Sequence, residues 1–270
     1  MSVHEEIREQ QKKLKGQGFK AHWDYFWEYY KIHTIVVIVA IIFISMLLHD
    51  VLTSKPYGFY AVMLNSGASS AQDILEKEFV EYTDFDSENY DCFIDTSSSY
   101  NLSVIDEMTI ATSQKMMANI AAAELDVLVA DSDVFTYYAN QETFADLRTV
   151  LSTAQLEAVS DRLVYVDQSY LDYLNSDAYQ DYISTGTFDE NNKYAVMADN
   201  YNKDFKMPST DKDTMEEPVP VGITVSDSTV LSGSGAYYNS SAVAGVVINS
   251  KRPALAAQFL YFLCPELADI

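Results

Sequence analysis

The chain has 270 residues, 48% of them hydrophobic, with 17 Lys/Arg against 40 Asp/Glu and a formal net charge of −23. That length sets one or two domains, and the apolar share supplies a packed core and excludes a disordered chain. Residues 1–33 carry six Lys/Arg and five acids, whereas residues 50–270 carry eleven basic and 35 acidic residues, a surface that repels phosphate backbones and excludes nucleic acid as partner.

The arm of residues 1–31 is basic (Arg8, Lys12, Lys13, Lys15, Lys20, Lys31) and holds both tryptophans. Trp23, Phe26, Trp27 and Tyr30 recur at helical spacing and predict an aromatic stripe at a membrane interface. Ile32–Leu52 follows, and Thr34–Leu48 within it is uncharged and apolar on all sides. At 1.5 Å per residue such a segment spans roughly 30 Å, the thickness of a hydrocarbon core. A soluble core helix would carry a polar face, so the segment predicts a transmembrane helix with the lipid bilayer as its partner. Six basic residues precede it and only Lys55 follows closely. The positive-inside rule then places residues 1–31 in the cytoplasm and residues 53–270 outside a plasma membrane. The long charged arm and the lack of an A-x-A site after the apolar run point to an uncleaved signal anchor.

Beyond a short linker, TSKPYG, Phe59–Asn65 predicts a buried strand ending at Asn-Ser-Gly, and Ala71–Tyr82 a helix. Asp91–Asp95 predicts a second strand, Met108–Glu124 a helix and Leu125–Ala130 a third strand. The helix Val134–Asn140 comes next, with Ser132 or Asp133 as its cap. Strands that alternate with helices predict parallel βαβ units in one sheet. Further on, Gln155–Val159 reads as helix and Leu163–Val166 as a short strand. Gln168–Tyr182 is rich in Tyr and Asp, and Asp199–Pro220, with three prolines, reads as an exposed loop. Val221–Val225 and Ala242–Asn249 read as strands, Ser232–Tyr238 as a Gly/Ser loop, and Pro253–Leu263 as a helix opened by proline.

Leu125–Leu151, LDVLVADSDVFTYYANQETFADLRTVL, and Val243–Leu263, VAGVVINSKRPALAAQFLYFL, resemble the type II extracellular solute-binding proteins. In that family a strand ending over the cleft is followed by a helix and a D-L pair, and a C-terminal strand runs through Asn-Ser-Lys into an Ala- and Phe-rich helix. The resemblance implies an α/β lobe with a mainly parallel sheet, its first strand beside both the second and the third, displayed outside the cell, here behind the predicted N-terminal transmembrane helix. Members of the family are usually secreted or lipid-anchored and have two lobes. This chain has a span instead, and about 210 residues leave room for one lobe plus remnants, so the resemblance is to a truncated, membrane-anchored member.

In open α/β sheets ligands sit beyond the carboxyl ends of the strands. Those ends carry Asn65 and Ser66, then Thr96, Ser97 and Ser98, then Asp131, Ser132 and Asp133. They are the candidate ligand-binding residues, although Ser, Asn and Asp serve turns and caps in the same places. Tyr137, Tyr138, Tyr165, Tyr170, Tyr173, Tyr179 and Tyr182 could either line a surface for sugars or peptides or pack at the edge of a core.

Catalysis finds little support. No histidine follows His49, which removes Ser-His-Asp and Cys-His chemistry and His-ligated zinc from the large part. Asp84-Phe-Asp86-Ser-Glu88 lacks the glycine of a calcium loop, Ser113 and Lys115 have the wrong spacing for a nucleophile pair, and Ser232–Gly235 is no nucleotide loop. Cys92 and Cys264 lie in apolar segments and read as free buried thiols, with no C-x-x-C. The expectation is a non-enzymatic binding module without cofactor or metal, taking a small solute, peptide or protein. The rival is a structural component of a membrane assembly whose lobe has lost its ligand.

Overall fold

The computed structural model describes residues 18–68, 70–237, 241–268 and 270. The basic positions Arg8, Lys12, Lys13 and Lys15, and the last residue of the expected Gly/Ser loop, lie outside them. The chain divides into two compact units between Lys55 and Pro56.

Among the described residues the first unit holds one unbroken helix, α1 (Phe19–Thr53). Its Tyr30–Thr53 part is long and apolar enough to cross a membrane, and its side chains are exposed. Upstream the aromatic residues form a ladder on one side: Trp23 stacks on Phe19 and Trp27, and Phe26 on Tyr30.

The second unit is built on one six-stranded sheet of mixed direction. The elements in chain order are β1 (Tyr57–Met63), α2 (Ala71–Thr83), β2 (Asp91–Asp95), α3 (Glu107–Ala121), β3 (Val127–Asp131) and α4 (Ser132–Ala139). Next come α5 (Thr153–Ala158), β4 (Leu163–Asp167), α6 (Gln168–Leu174), α7 (Asp177–Thr185) and α8 (Lys193–Asp204). The chain closes with β5 (Pro218–Thr224), α9 (Thr229–Ser234), β6 (Ala242–Val246) and α10 (Pro253–Leu263). The strand order is β2-β1-β3-β6-β5-β4.

β1 lies between β2 and β3 and is parallel to both, the direction that the strand–helix alternation predicts. β6 joins the same sheet antiparallel to β3, β5 is antiparallel to β6, and β4 antiparallel to β5. Four strands therefore run one way and β4 and β6 the other.

The strands are apolar throughout because the sheet is covered on both faces. Side chains alternate, so β1 sends Phe59, Ala61 and Met63 to one core and Tyr60, Val62 and Leu64 to the other. The first core packs on α2 and α10 through Leu75, Phe79, Phe259 and Leu260; the second on α3 and α4 through Met116, Val134 and Phe135. A smaller cluster joins α6 to α8 through Tyr170, Tyr173, Ala195 and Ala198.

Three local expectations are corrected, and one unassigned stretch gains its structure. The cap of α4 is Asp131, not Ser132 or Asp133: its carboxylate accepts the Val134 amide at 3.1 Å, so strand passes into helix with no linker. Asp199–Pro220 is not one exposed loop, because α8 reaches Asp204, Ala198 and Asp199 are buried, and β5 begins at Pro218. Tertiary packing against α6 makes that helix, and Pro218 and Pro220 sit where β5 has β4 on one side and β6 pairs only Ile223 and Thr224. Ser232–Ser234 belongs to α9, which ends on Gly235 in the left-handed conformation. The Tyr-rich stretch Gln168–Tyr182 forms two helices with Ser176 capping the second.

Candidate functional site

The strand-end residues converge in part. Asn65, Ser66, Thr96, Ser97 and Ser98, with Ser99, line one open depression of about 440 Å³. Asp131 joins them through Asn65, whose Nδ2 donates to Asp131 Oδ2 at 2.8 Å. Ser132 and Asp133 do not line it; they lie in the first turn of α4.

The polar atoms at this end of the sheet are largely spent on one another. Asn65 sits at φ 59°, a left-handed conformation asparagine tolerates. Its amide bonds the Tyr100 carbonyl at 2.8 Å and accepts the Tyr100 N–H at 2.8 Å. Ser66 Oγ donates to the Thr96 carbonyl at 2.7 Å. Asp95 accepts Ser97 N–H at 2.9 Å, Ser97 Oγ at 2.7 Å, Ser98 Oγ, and Lys115 Nζ at 2.6 Å. Burial alone would raise the Asp95 carboxyl, but the bonds from Lys115, Ser98 and Ser97 outweigh it and hold it at about 2. Lys115 is thus a cation of this corner rather than a partner of Ser113.

A second concavity lies between α4, α6, α7, α8 and the segment 205–215. It consists of two adjoining cavities of about 230 and 320 Å³ that share Asn140, Tyr170 and Pro208. Tyr165 and Met197 contribute to the first, and Tyr137, Tyr179 and Tyr201 to the second. Of the tyrosines singled out from the sequence, Tyr137, Tyr165, Tyr170 and Tyr179 line this groove, whereas Tyr138, Tyr173 and Tyr182 are buried beside it. Some of these tyrosines therefore line a groove and others pack in the core.

Tyr170 is only 3% exposed, lines both cavities, and its hydroxyl has no hydrogen-bond partner among the described residues. Burial raises its pKa, and the neighbouring hydroxyls of Tyr179, Tyr201 and Tyr173 raise it further. The Tyr201 hydroxyl is pushed up to about 12 by burial and by Tyr137 and Tyr179. These phenols stay neutral at physiological pH, each able to donate and accept.

Asp167 fixes the far wall. It accepts the amides of Ser169, Glu216 and Glu217 at 3.1–3.2 Å and the Tyr194 hydroxyl at 3.0 Å. Burial works against its charge, but these bonds prevail and lower its pKa. One carboxylate thereby ties β4, α8 and the segment before β5 together. The sequence signal was present: VYVD-QSYL repeats the VLVAD-SDVF pattern of an Asp that ends a strand and caps a helix. Asn140, Asn200, Tyr201 and Lys206 carried no such signal, since only packing brings them to Tyr170.

The groove combines phenol hydroxyls, carboxamides, methionines and proline, and no group of three or more metal-ligating side chains occurs among the described residues. Cys92 and Cys264 are both free, with burial as the main force raising their thiols to about 12 and 11.

No protein-family model matches the sequence, and no curated protein matches it. Among solved structures the chain is similar to iron-bound HitA from Pseudomonas aeruginosa, with 13% identity and a TM-score of 0.34 over 76% of this chain and 80% of that one.

Proposed function

We propose that the protein is a single-pass membrane protein whose C-terminal α/β unit stands outside the cell and binds a ligand non-enzymatically. The ligand site is the tyrosine-lined groove rather than the depression at the strand ends. The observation that carries this reading is Tyr170: a side chain almost wholly buried, shared by two adjoining cavities, with an unspent hydroxyl. Its hydroxyl is not among the buried atoms left without a partner, so it is reachable from solvent, and a hydroxyl that bonds no other side chain and belongs to a cavity-lining residue is open to a ligand's polar atom.

A second reading, a docking component of a membrane assembly, is favoured by the strand ends, whose polar atoms bond one another. One experiment separates the two. The full chain in detergent is melted against a library of metabolites and short peptides. A ligand that binds only the folded state raises stability by RT ln(1 + [L]/Kd). The groove reading expects a stabilising ligand whose effect is lost in Tyr201→Ala and kept in Ser97→Ala. Loss in Ser97→Ala alone moves the site to the strand ends, and no stabilising ligand at all favours the assembly reading.

A further inference from the structure

The two adjoining cavities of the groove carry opposite available charges. In the 320 Å³ cavity the one charged lining residue is Glu142. In the 230 Å³ cavity the charged lining residues are Lys206 and Asp167, and Asp167 is already filled by four donors. Lys206 therefore supplies the available charge there. Among the described residues of the Pro56–Ile270 unit, every Lys and Arg except Lys206 and Lys212 has a carboxylate within ion-pair distance. In so acidic a unit, an exposed lysine without such a partner at the mouth of a cavity is a cation kept available. Glu142 likewise forms no ion pair among the described residues; its carboxylate is steadied by Asn175 Nδ2 at 3.0 Å. Between the two charges lie neutral hydrogen-bonding groups and apolar surface from Tyr170, Tyr201, Asn140 and Pro208.

We propose that this groove takes a short peptide with both termini free, its ammonium group toward Glu142 and its carboxylate toward Lys206. The inference rests on the reading of the groove as a ligand site. The carboxamide of Asn140 and the phenol hydroxyls suit peptide N–H and C=O groups, and the rings and proline suit the side chains between. A neutral sugar would use the rings and amides but leave both charges unanswered. A single amino acid carries both charges but fills only one of two adjoining cavities.

The test uses full-length protein in detergent micelles and reads retained species by mass spectrometry. The probes are an Ala-Xaa-Ala tripeptide mixture, its N-acetylated and C-amidated forms, leucine, and maltose. The free tripeptides should bind tightest, and each cap should weaken binding about tenfold, as loss of one charge-assisted hydrogen bond does. Glu142→Gln should erase the acetylation penalty and leave the amidation penalty; Lys206→Gln should do the reverse. Both side chains are exposed, so both variants should melt with the parent. Equal binding of capped and free peptides, or penalties unchanged in the variants, overturns the proposal. So does leucine binding as tightly as the tripeptides. Maltose or doubly capped peptide bound as tightly as free peptide, and lost in Tyr201→Ala, overturns the peptide while the groove remains a ligand site. Retention of none of the probes, together with no stabilising ligand in the melting screen, takes down both.

Discussion

Asp95 is 1% exposed and ionised, which is sustainable because four donors surround it. Its folded pKa of about 2 lies below the unfolded value of about 3.9. A depressed carboxyl stabilises the fold above the unfolded pKa and loses that contribution as pH falls through the folded one. The loss should fall between about pH 4 and pH 2 and amount to about 1–2 kcal/mol, since the Lys115 side chain is 39% exposed and partly screened. Melting curves from pH 5 to pH 2 should show this slope, and Asp95→Asn should flatten it. Asp126 is a different case. It is fully buried and receives Arg252 Nε at 2.8 and 3.0 Å, Ser250 Oγ at 2.6 Å and the Tyr60 amide at 2.8 Å. Arg252→Met would strand a buried charge and should cost about 3–5 kcal/mol, read as a lowered melting point. The double variant Asp126→Leu, Arg252→Met should recover much of that loss, because it removes the stranded charge with its partner.

At the scale of elements, β3 is the most informative strand. Val129 pairs with Met63 on one side and Ala244 on the other and is fully buried. Val129→Asp should cost several kcal/mol and unfold the unit. A solvated α4 would make Thr136→Asp a mild control, but Thr136 is 4% exposed and its Oγ1 is bonded to the Ser132 carbonyl at 2.7 Å. Thr136→Asp should therefore also lower the melting point. Gln114→Glu, which adds a carboxylate at an exposed position on α3, should leave it nearly unchanged. β5 and β6 each need a glycine. Phe135 stacks on Phe144 with ring centroids 4.2 Å apart, and a Cβ on Gly245 would meet Phe144 at 2.7 Å and Phe135 at 2.9 Å. Gly245→Val should cost about 1–3 kcal/mol by overpacking, measurable by denaturant unfolding.

Taken whole, the chain pairs one long apolar helix with one acidic α/β unit. The proposed orientation rests on charge: six basic residues before the apolar segment and Lys55 alone soon after it. Protease added to intact cells should remove the α/β unit and leave the N-terminal arm protected; protection of the unit would reverse the orientation. The acidic surface bears on ligand choice as well. A net charge of −24 over residues 50–270 disfavours anionic ligands at long range. A ligand carboxylate would then need a local cation, the part proposed for Lys206.

By itself the sequence determined the apolar span, the shared parallel direction of β1, β2 and β3 and the final helix opened by Pro253. Those features are written locally, in runs such as FYAVMLN and LDVLVA and in a proline that can start a helix but not continue one. It also placed Asn65, Ser66, Thr96, Ser97 and Ser98 at one sheet end, because strand ends in a βαβ order come together. Only the tertiary structure decided the antiparallel half of the sheet, since nothing in Ala242–Val246 records which way its neighbour runs. It alone decided that α8 is a helix, through Ala195 and Ala198 packed on Tyr170 and Tyr173. The groove belongs to that second group. Tyr137, Tyr170, Tyr201 and Lys206 are scattered over four segments, and they meet only because Asp167 gathers the ends of β4, α8 and the segment before β5 with one buried carboxylate.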